Sequence, residues 1–298
     1  MNKLIVILGP TSSGKSALAI KLAKKFKGEI ISADSRQVYK GMDIGTGKIT
    51  KRQQKLVPHH LLDVISPKRQ LTVADYKRLL KRAIAQIRRK GKLPFLVGGS
   101  AFYIYAVIDD WKIPEIKPNL KLRKQLEGKS TQQLFQMLKK LDPRRAQTID
   151  RHNPRRLIRA LEITKATGQP VPYYTYQTYY PYDLLILGIK KGPQELKKLI
   201  KQRLENRLRA GMVAEVKRLK RQGLSFKRLE SFGLEYRLIA EYLQGKLNYD
   251  EMVAKLKTAI WRFSKRQMTW FKRDRRIKWI KNQKQAEKLT KAYLSTKA

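Results

Sequence analysis

The sequence predicts an α/β fold: a parallel sheet with helices on both faces and a small helical insertion domain. Three observations lead there. Short apolar runs alternate with amphipathic segments, the pattern of successive βαβ units. A glycine-rich loop joins the first apolar run to the first helical pattern, and residues 111–150 carry no strand pattern at all. Strands are expected at LIVIL (4–8), EIISA (29–33), LPFLV (93–97), LLILGI (184–189) and RIKWI (276–280). Near-continuous apolar runs of this kind suit strands covered on both faces. Before the third strand, TVADYKRLLKRAIAQIRRKG is an amphipathic helix pattern. Thr72 and Asp75 have capping-box spacing, and Gly91 stands where a C′ glycine belongs. The insertion at 111–150 holds polar helix formers such as TQQLFQMLKKL, so the core is expected at 1–110 and 151–298, with the far boundary as late as about residue 182. Residues 190–275 read as helical and strongly basic.

The chain has 298 residues, with 68 Lys and Arg against 23 Asp and Glu, a formal net charge of +45. Such an imbalance favours a polyanionic partner, nucleic acid first, because each neutralised phosphate releases counterions. Scattered, solvated lysines are the plainer alternative. The absence of cysteine excludes disulfides, cysteine zinc fingers and a thiol nucleophile, and it fits a reducing compartment. No apolar run approaches the roughly 20 residues of a membrane span, and LIVIL is too short for a signal-peptide core. A soluble, cytoplasmic monomer with no membrane partner is therefore expected.

Gly9, Gly14, Lys15 and Ser16 satisfy G-x-x-x-x-G-K-[ST] between a strand and a helix, which makes the sheet P-loop NTPase-like. Backbone N–H groups of such a loop turn inward around phosphate oxygens, and the helix N-terminus adds its positive end. Lys15 supplies a point charge, and Ser16 is a candidate magnesium ligand. The phosphate donor is not fixed by this motif. ATP-hydrolysing relatives place an acid at the end of a second apolar strand, but here that strand runs into Gly98, Gly99 and Ser100. The glycines there are expected to let something flat or bulky approach the backbone. Asp34 follows the second strand and so falls beside the phosphate loop at the carboxyl edge of the sheet. It is a candidate base, or a turn residue.

Six segments occur in order: GPTSSGKS, ISADSRQVYKGMDIGTGK, PHHLLDV, LVGGSAFYIYA, RRLIRALEI and SKRQMTWF. Together they closely resemble the tRNA dimethylallyltransferases, the tRNA isopentenyltransferase family, from Gly9 to about Ile280. The resemblance implies transfer of a dimethylallyl group from dimethylallyl diphosphate to the exocyclic amine of the adenosine immediately 3′ of the anticodon. It implies that Gly9, Pro10, Thr11, Ser12, Ser13, Gly14, Lys15 and Ser16 hold a diphosphate leaving group with Mg2+, in place of a nucleoside triphosphate. Asp34 then accepts the amine proton, Ser100 stands where the family commonly has threonine, and Arg203 aligns with a diphosphate arginine. Arg207 is the alternative if the register slips. The tRNA anticodon stem-loop is expected to meet Asp34, Ser35, Arg36 and Gln37, then Arg155, Arg156, Leu157, Ile158 and Arg159, and finally Lys265, Arg266 and Gln267.

The sequence departs from the family in three places. PYYTYQTYYPY packs six tyrosines between Pro172 and Tyr182, as a stacking platform for bases or as filler between insertion and core. SFGLEYR at 231–237 replaces the usual Gly-Tyr-Lys or Gly-Tyr-Arg turn, and the insertion is short and very basic. His59 and His60 lack spaced metal partners and read as packing or hydrogen-bonding residues. Trp261 and Trp270, nine apart on a predicted helix, read as core. Two other function classes share these features. A P-loop kinase predicts ATP turnover, and a non-catalytic RNA-binding protein predicts no chemistry.

Overall fold

The computed structural model describes residues 2–172 and 181–296. Among them, six strands form one parallel sheet: β1 (Lys3–Leu8), β2 (Gly28–Ala33), β3 (His59–His60), β4 (Leu93–Gly98), β5 (Asp183–Ile189) and β6 (Lys278–Ile280). Their spatial order is β3-β2-β4-β1-β5-β6. All five expected strands are present. The sixth, β3, is two residues long and offers no periodicity to read. It pairs with Ile30 and Ile31 of β2. His60 Nε2 lies 2.7 Å from the Glu29 carboxylate, and His59 Nδ1 lies 2.6 Å from the Val57 carbonyl, so both histidines hold the sheet edge.

Every residue of β1 and β2 is buried, as strands covered on both faces require. Ile5, Ile7, Phe95, Val97, Leu185 and Leu187 pack with Ala19, Leu22 and Ala23 of the helix Lys15–Lys25. The helix Val73–Arg89 begins in the expected capping box: the Asp75 N–H donates to Thr72 Oγ1 (3.1 Å) and the Thr72 N–H to Asp75 Oδ2 (3.2 Å). Gly91 follows it at φ 66°, the left-handed turn that ends a helix cheaply only at glycine. The basic stretch after β5 is helical as expected: Pro193–Arg209, Met212–Arg221, Phe226–Ser231, Leu234–Leu243 and Tyr249–Phe271.

The chain divides into two compact units, residues 1–110 with 179–298, and residues 111–178. The inserted unit so divided runs past residue 150 and stops short of the later expected limit near 182. Its helices are Leu120–Glu127, Thr131–Leu141, Pro143–Thr148 and Pro154–Thr167. The last of these, lying between the two expected limits of the insertion, carries Leu157 and Leu161 into an apolar cluster with Leu126, Leu134 and Leu138. Without it that stripe would have no covering face. Of the tyrosine-rich segment, residues 173–180 lie outside the described residues.

Candidate active site

Strand register builds the site. Leu8 of β1 and Ala33 of β2 both pair with Gly98 of β4, so the chain leaves three neighbouring strands at one level. The phosphate loop, Asp34 and Ser100 are the residues that follow, and the fold brings them together at the carboxyl edge. Ser12 and Gly14 take positive φ, 63° and 90°, as the loop curls toward the helix that opens at Lys15. The Lys15 ammonium folds back onto its own loop and donates to the Pro10 carbonyl at 2.9 Å. Burial lowers its pKa to about 8, the charge of Arg203 pushes the same way, and Asp34 opposes both.

Asp34 Oδ1 accepts the backbone N–H groups of Arg36 (2.8 Å) and Gln37 (3.2 Å), closing the turn after β2. Its Oδ2 makes no hydrogen bond among the described residues. Ser100 Oγ accepts the Ser35 N–H at 3.3 Å, tying the ends of β2 and β4. Gln37 is held by Ser32, whose hydroxyl donates to Oε1 at 3.0 Å. The Arg36 guanidinium lies over the Phe232 ring, 5.8 Å from its centroid.

The geometry separates the two arginines that sequence left as alternatives. Both reach the turn after Met42, but Arg203 alone continues to the phosphate loop. Its Nη1 donates to Thr11 Oγ1 at 3.4 Å and its Nη2 to the Gly47 carbonyl at 3.1 Å. Arg207 donates to the carbonyls of Ile44 (2.7 Å) and Gly45 and to Glu235 (2.9 Å). Burial lowers the pKa of Arg203 and the neighbouring Arg207 adds to it, while Glu235 and Asp34 oppose the shift.

Gln267 is placed differently from the expected tRNA contact. It is 6% exposed. Its Oε1 accepts the Thr11 N–H at 2.8 Å and its Nε2 donates to the Gly99 carbonyl at 2.8 Å. The glycines at the end of β4 are therefore packed against protein: a Cβ at Gly99 would lie 2.3 Å from Gln267 Nε2, and one at Gly98, the last residue of the strand, would lie 2.0 Å from the Ala33 carbonyl oxygen. Lys265 and Arg266, in contrast, are exposed. Arg266 joins Arg237, Lys255 and Arg262 along a groove of about 560 Å³ between the helices Leu234–Leu243 and Tyr249–Phe271. Trp270 is not core. It is 39% exposed beside the Tyr105 ring, centroids 6.5 Å apart, and Trp261 is half-buried under Lys197 and Lys265.

In the inserted unit the segment RRLIR splits by helix face. Arg155 and Arg156 are exposed, whereas Leu157 and Ile158 are buried in the apolar cluster and cannot present their side chains to RNA. Arg159 pairs with the buried Glu162 carboxylate at 2.5 Å, which also takes Arg123 (2.7 Å) and the Asn119 N–H (2.7 Å).

The IPP transferase family model matches residues 37–274. The chain belongs to that family. It is 43% identical to the tRNA dimethylallyltransferase of Carboxydothermus hydrogenoformans over 98% of this chain and 96% of that protein. It is 42% identical to tRNA dimethylallyltransferase 1 of Syntrophus aciditrophicus over 94% of each. Among solved structures, the full-length tRNA isopentenylpyrophosphate transferase of Bacillus halodurans superposes with TM-score 0.72 at 35% identity, covering 99% of this chain and 95% of that one. A eukaryotic dimethylallyltransferase acting on tRNA gives TM-score 0.77 at 28% identity, covering 91% and 70%.

For this IPP transferase family member, the match begins at Gln37, so the phosphate loop and Asp34 precede it and stand on their own geometry. Among the described residues no group of three His, Cys, Asp or Glu can hold a metal ion. That donor set fits magnesium all the same, because this ion usually keeps water and substrate phosphate oxygens as ligands and takes few from the protein. Ser16 is exposed in the first turn of the helix Lys15–Lys25. Two functional placements escaped sequence reasoning. Gln267 lay inside a motif credited to RNA, and its link to Thr11 spans 256 residues. Nothing in the sequence tied the turn at 43–47 to the arginines it holds.

Proposed function

We propose that the loop at 9–16 and Arg203 grip the diphosphate of dimethylallyl diphosphate, and that Asp34 takes the proton from the amine under attack. The chain is a transferase that moves a dimethylallyl group from its diphosphate to the exocyclic amine of an adenosine in tRNA, releasing diphosphate. The observation that carries the diphosphate reading is the pairing of two like charges. Lys15 donates to the Pro10 carbonyl (2.9 Å) and Arg203 to the Thr11 hydroxyl (3.4 Å), so two partly buried cations meet at adjacent residues of the loop, and burial and the charge of Arg203 lower the pKa of Lys15. Placing cations together is costly unless an anion joins them, and a departing diphosphate is such an anion. No acid stands at the end of β4 to organise a nucleoside triphosphate and its water, which disfavours a kinase.

In the proposed reaction the adenosine nitrogen attacks the allylic carbon as the carbon–oxygen bond to diphosphate breaks, and the electron pair leaves with the phosphate. The positive charge gained by nitrogen is relieved when its proton passes to Asp34 Oδ2. Lys15, Arg203 and the loop N–H groups meet the charge that develops on the leaving oxygen. Ser16 would be the protein residue holding Mg2+, which would supply further positive charge for the leaving diphosphate. The target is the adenosine immediately 3′ of the anticodon, extruded from its stack. The groove of Arg237, Lys255, Arg262 and Arg266 takes flanking phosphates. Arg155 and Arg156, exposed on the inserted unit, are separate candidates for phosphate contact. The enzyme acts as a cytoplasmic monomer. The test is mass spectrometry of tRNA incubated with the protein and dimethylallyl diphosphate. A dimethylallyl mass on the anticodon-loop adenosine is expected, and unchanged tRNA overturns the assignment.

A further inference from the structure

Glu215, in the helix Met212–Arg221, belongs to none of the motifs above, yet it is 4% exposed and fully engaged. The backbone N–H groups of Asp43 (2.8 Å) and Ile44 (2.7 Å) donate to Oε2, and those of Gly45 (2.9 Å) and the Tyr236 hydroxyl (2.7 Å) to Oε1. Three successive N–H groups converging on one anion form a nest. A turn that points its N–H groups inward must point its carbonyls elsewhere. Those of Ile44, Gly45 and Gly47 face the helix Pro193–Arg209 and accept from Arg207 and Arg203.

The geometry points to Glu215 as a positioning residue for the transfer reaction. Through the turn at 43–47, its buried charge fixes the Arg203 guanidinium against the phosphate loop. The inference rests on the reading that Arg203 holds the diphosphate. Arg203 stands next to Arg207 and near Lys15, so repulsion would turn its guanidinium outward unless fixed acceptors held it. The Gly47 carbonyl and Thr11 hydroxyl are those acceptors. They use two of the five guanidinium donors and leave three for an oxyanion. Space is as tight as the bonding: a Cβ on Gly47 would lie 2.1 Å from Arg203 Nη2, and Gly47 takes φ 60°. Glu215 itself touches no substrate in this arrangement. It acts by leaving the turn one way to face.

The test uses Glu215→Gln, which keeps size but removes the charge and presents an amide to three N–H donors. Inorganic diphosphate with Mg2+ is titrated into the full-length protein by calorimetry, beside tRNA affinity and thermal melting. Expected is at least a tenfold loss of diphosphate affinity, a KM for dimethylallyl diphosphate raised in step, and tRNA affinity unchanged within about twofold. Gly47→Ala, which displaces Arg203 with Glu215 intact, is expected to do the same, and it decides the matter if Glu215→Gln does not fold. Arg203→Ala separates the two readings. If it binds diphosphate as wild type does, the assignment of Arg203 falls, and the role of Glu215 with it. If Arg203→Ala loses the anion while folded Glu215→Gln, or Gly47→Ala in its stead, keeps it, only the positioning role is overturned. Equal losses for diphosphate and tRNA in the deciding variant would mark a general structural defect and overturn it as well.

Discussion

Gln267 accepts the backbone N–H of Thr11 at 2.8 Å while donating to the carbonyl of Gly99, so one buried amide joins the phosphate loop to the end of β4. Replacing it by leucine leaves the partly buried Thr11 N–H and the buried Gly99 carbonyl without that partner. Such losses cost about 1–3 kcal/mol each. Gln267→Leu is expected to lower the melting temperature and to weaken diphosphate binding about tenfold, because the Thr11 N–H is then free to reorient. Melting and diphosphate titration measure the two effects. Unchanged values for both would contradict the bridging role.

Asp34 has two separable duties. Its Oδ1 closes the turn at Arg36 and Gln37, and its carboxylate charge accepts the proton in the proposed chemistry. Asp34→Asn keeps the turn acceptor and removes the base. It is expected to slow transfer by roughly 10²–10⁴-fold, the usual worth of general base catalysis, with tRNA and diphosphate affinities retained. Single-turnover kinetics at saturating substrates provide the check, and near-normal rates would remove Asp34 from the mechanism.

Lys15 titrates at about 8 in the folded chain against an ordinary 10.5. Below pH 8 it is charged in both folded and unfolded states, and the cost of burying that charge is present in full. Between the two values the folded chain sheds the proton first, so stability from this group rises with pH, by about 3 kcal/mol in total. Anion binding has the opposite sign, since it needs the ammonium. Affinity for dimethylallyl diphosphate is expected to fall above pH 8, approaching tenfold per unit, with proton uptake visible as buffer-dependent heats. A flat response from pH 7 to 9.5 would count against the cradle.

The net charge of +45 predicts a steep loss of tRNA affinity with salt. Arg262→Ala and Arg266→Ala, in the basic groove, are each expected to reduce the slope of log K against log salt by about one. Filter binding over a salt series tests this. Identical slopes would place the RNA on another face.

In the inserted unit, Leu157→Ala opens the buried cluster and is expected to cost about 2–5 kcal/mol. Arg155→Ala and Arg156→Ala, on the exposed face of the same helix, are expected to leave melting unchanged and to weaken tRNA binding. Reversal of that pattern would refute the division of the helix into a core face and an RNA face.

The sheet was legible because its strands are continuous apolar runs and its helices carry their own caps. β3 was not, since two residues show no period. The far boundary of the inserted unit stayed open between residue 150 and about 182 for a related reason: the helix Pro154–Thr167 is amphipathic either way, and only packing reveals which cluster takes its stripe. The positions of Lys15 and Ser16 at the start of a helix and of Asp34 just past a strand were legible from local pattern. Gln267, Glu215 and the choice of Arg203 over Arg207 were not, because each depends on a partner more than 150 residues away.

By itself, the order of residues determined a loop of the G-x-x-x-x-G-K-[ST] pattern at the end of the first strand, a strong excess of positive charge and the family to which the motifs point. These follow from neighbours along the chain, where spacing alone sets which groups can meet. Tertiary structure decided which arginine reaches Thr11, which face of RRLIR stays in water and what fills the space beside Gly99. Those outcomes depend on distances between segments remote in sequence, and on burial that turns an ordinary polar side chain into a fixed hydrogen-bond bridge.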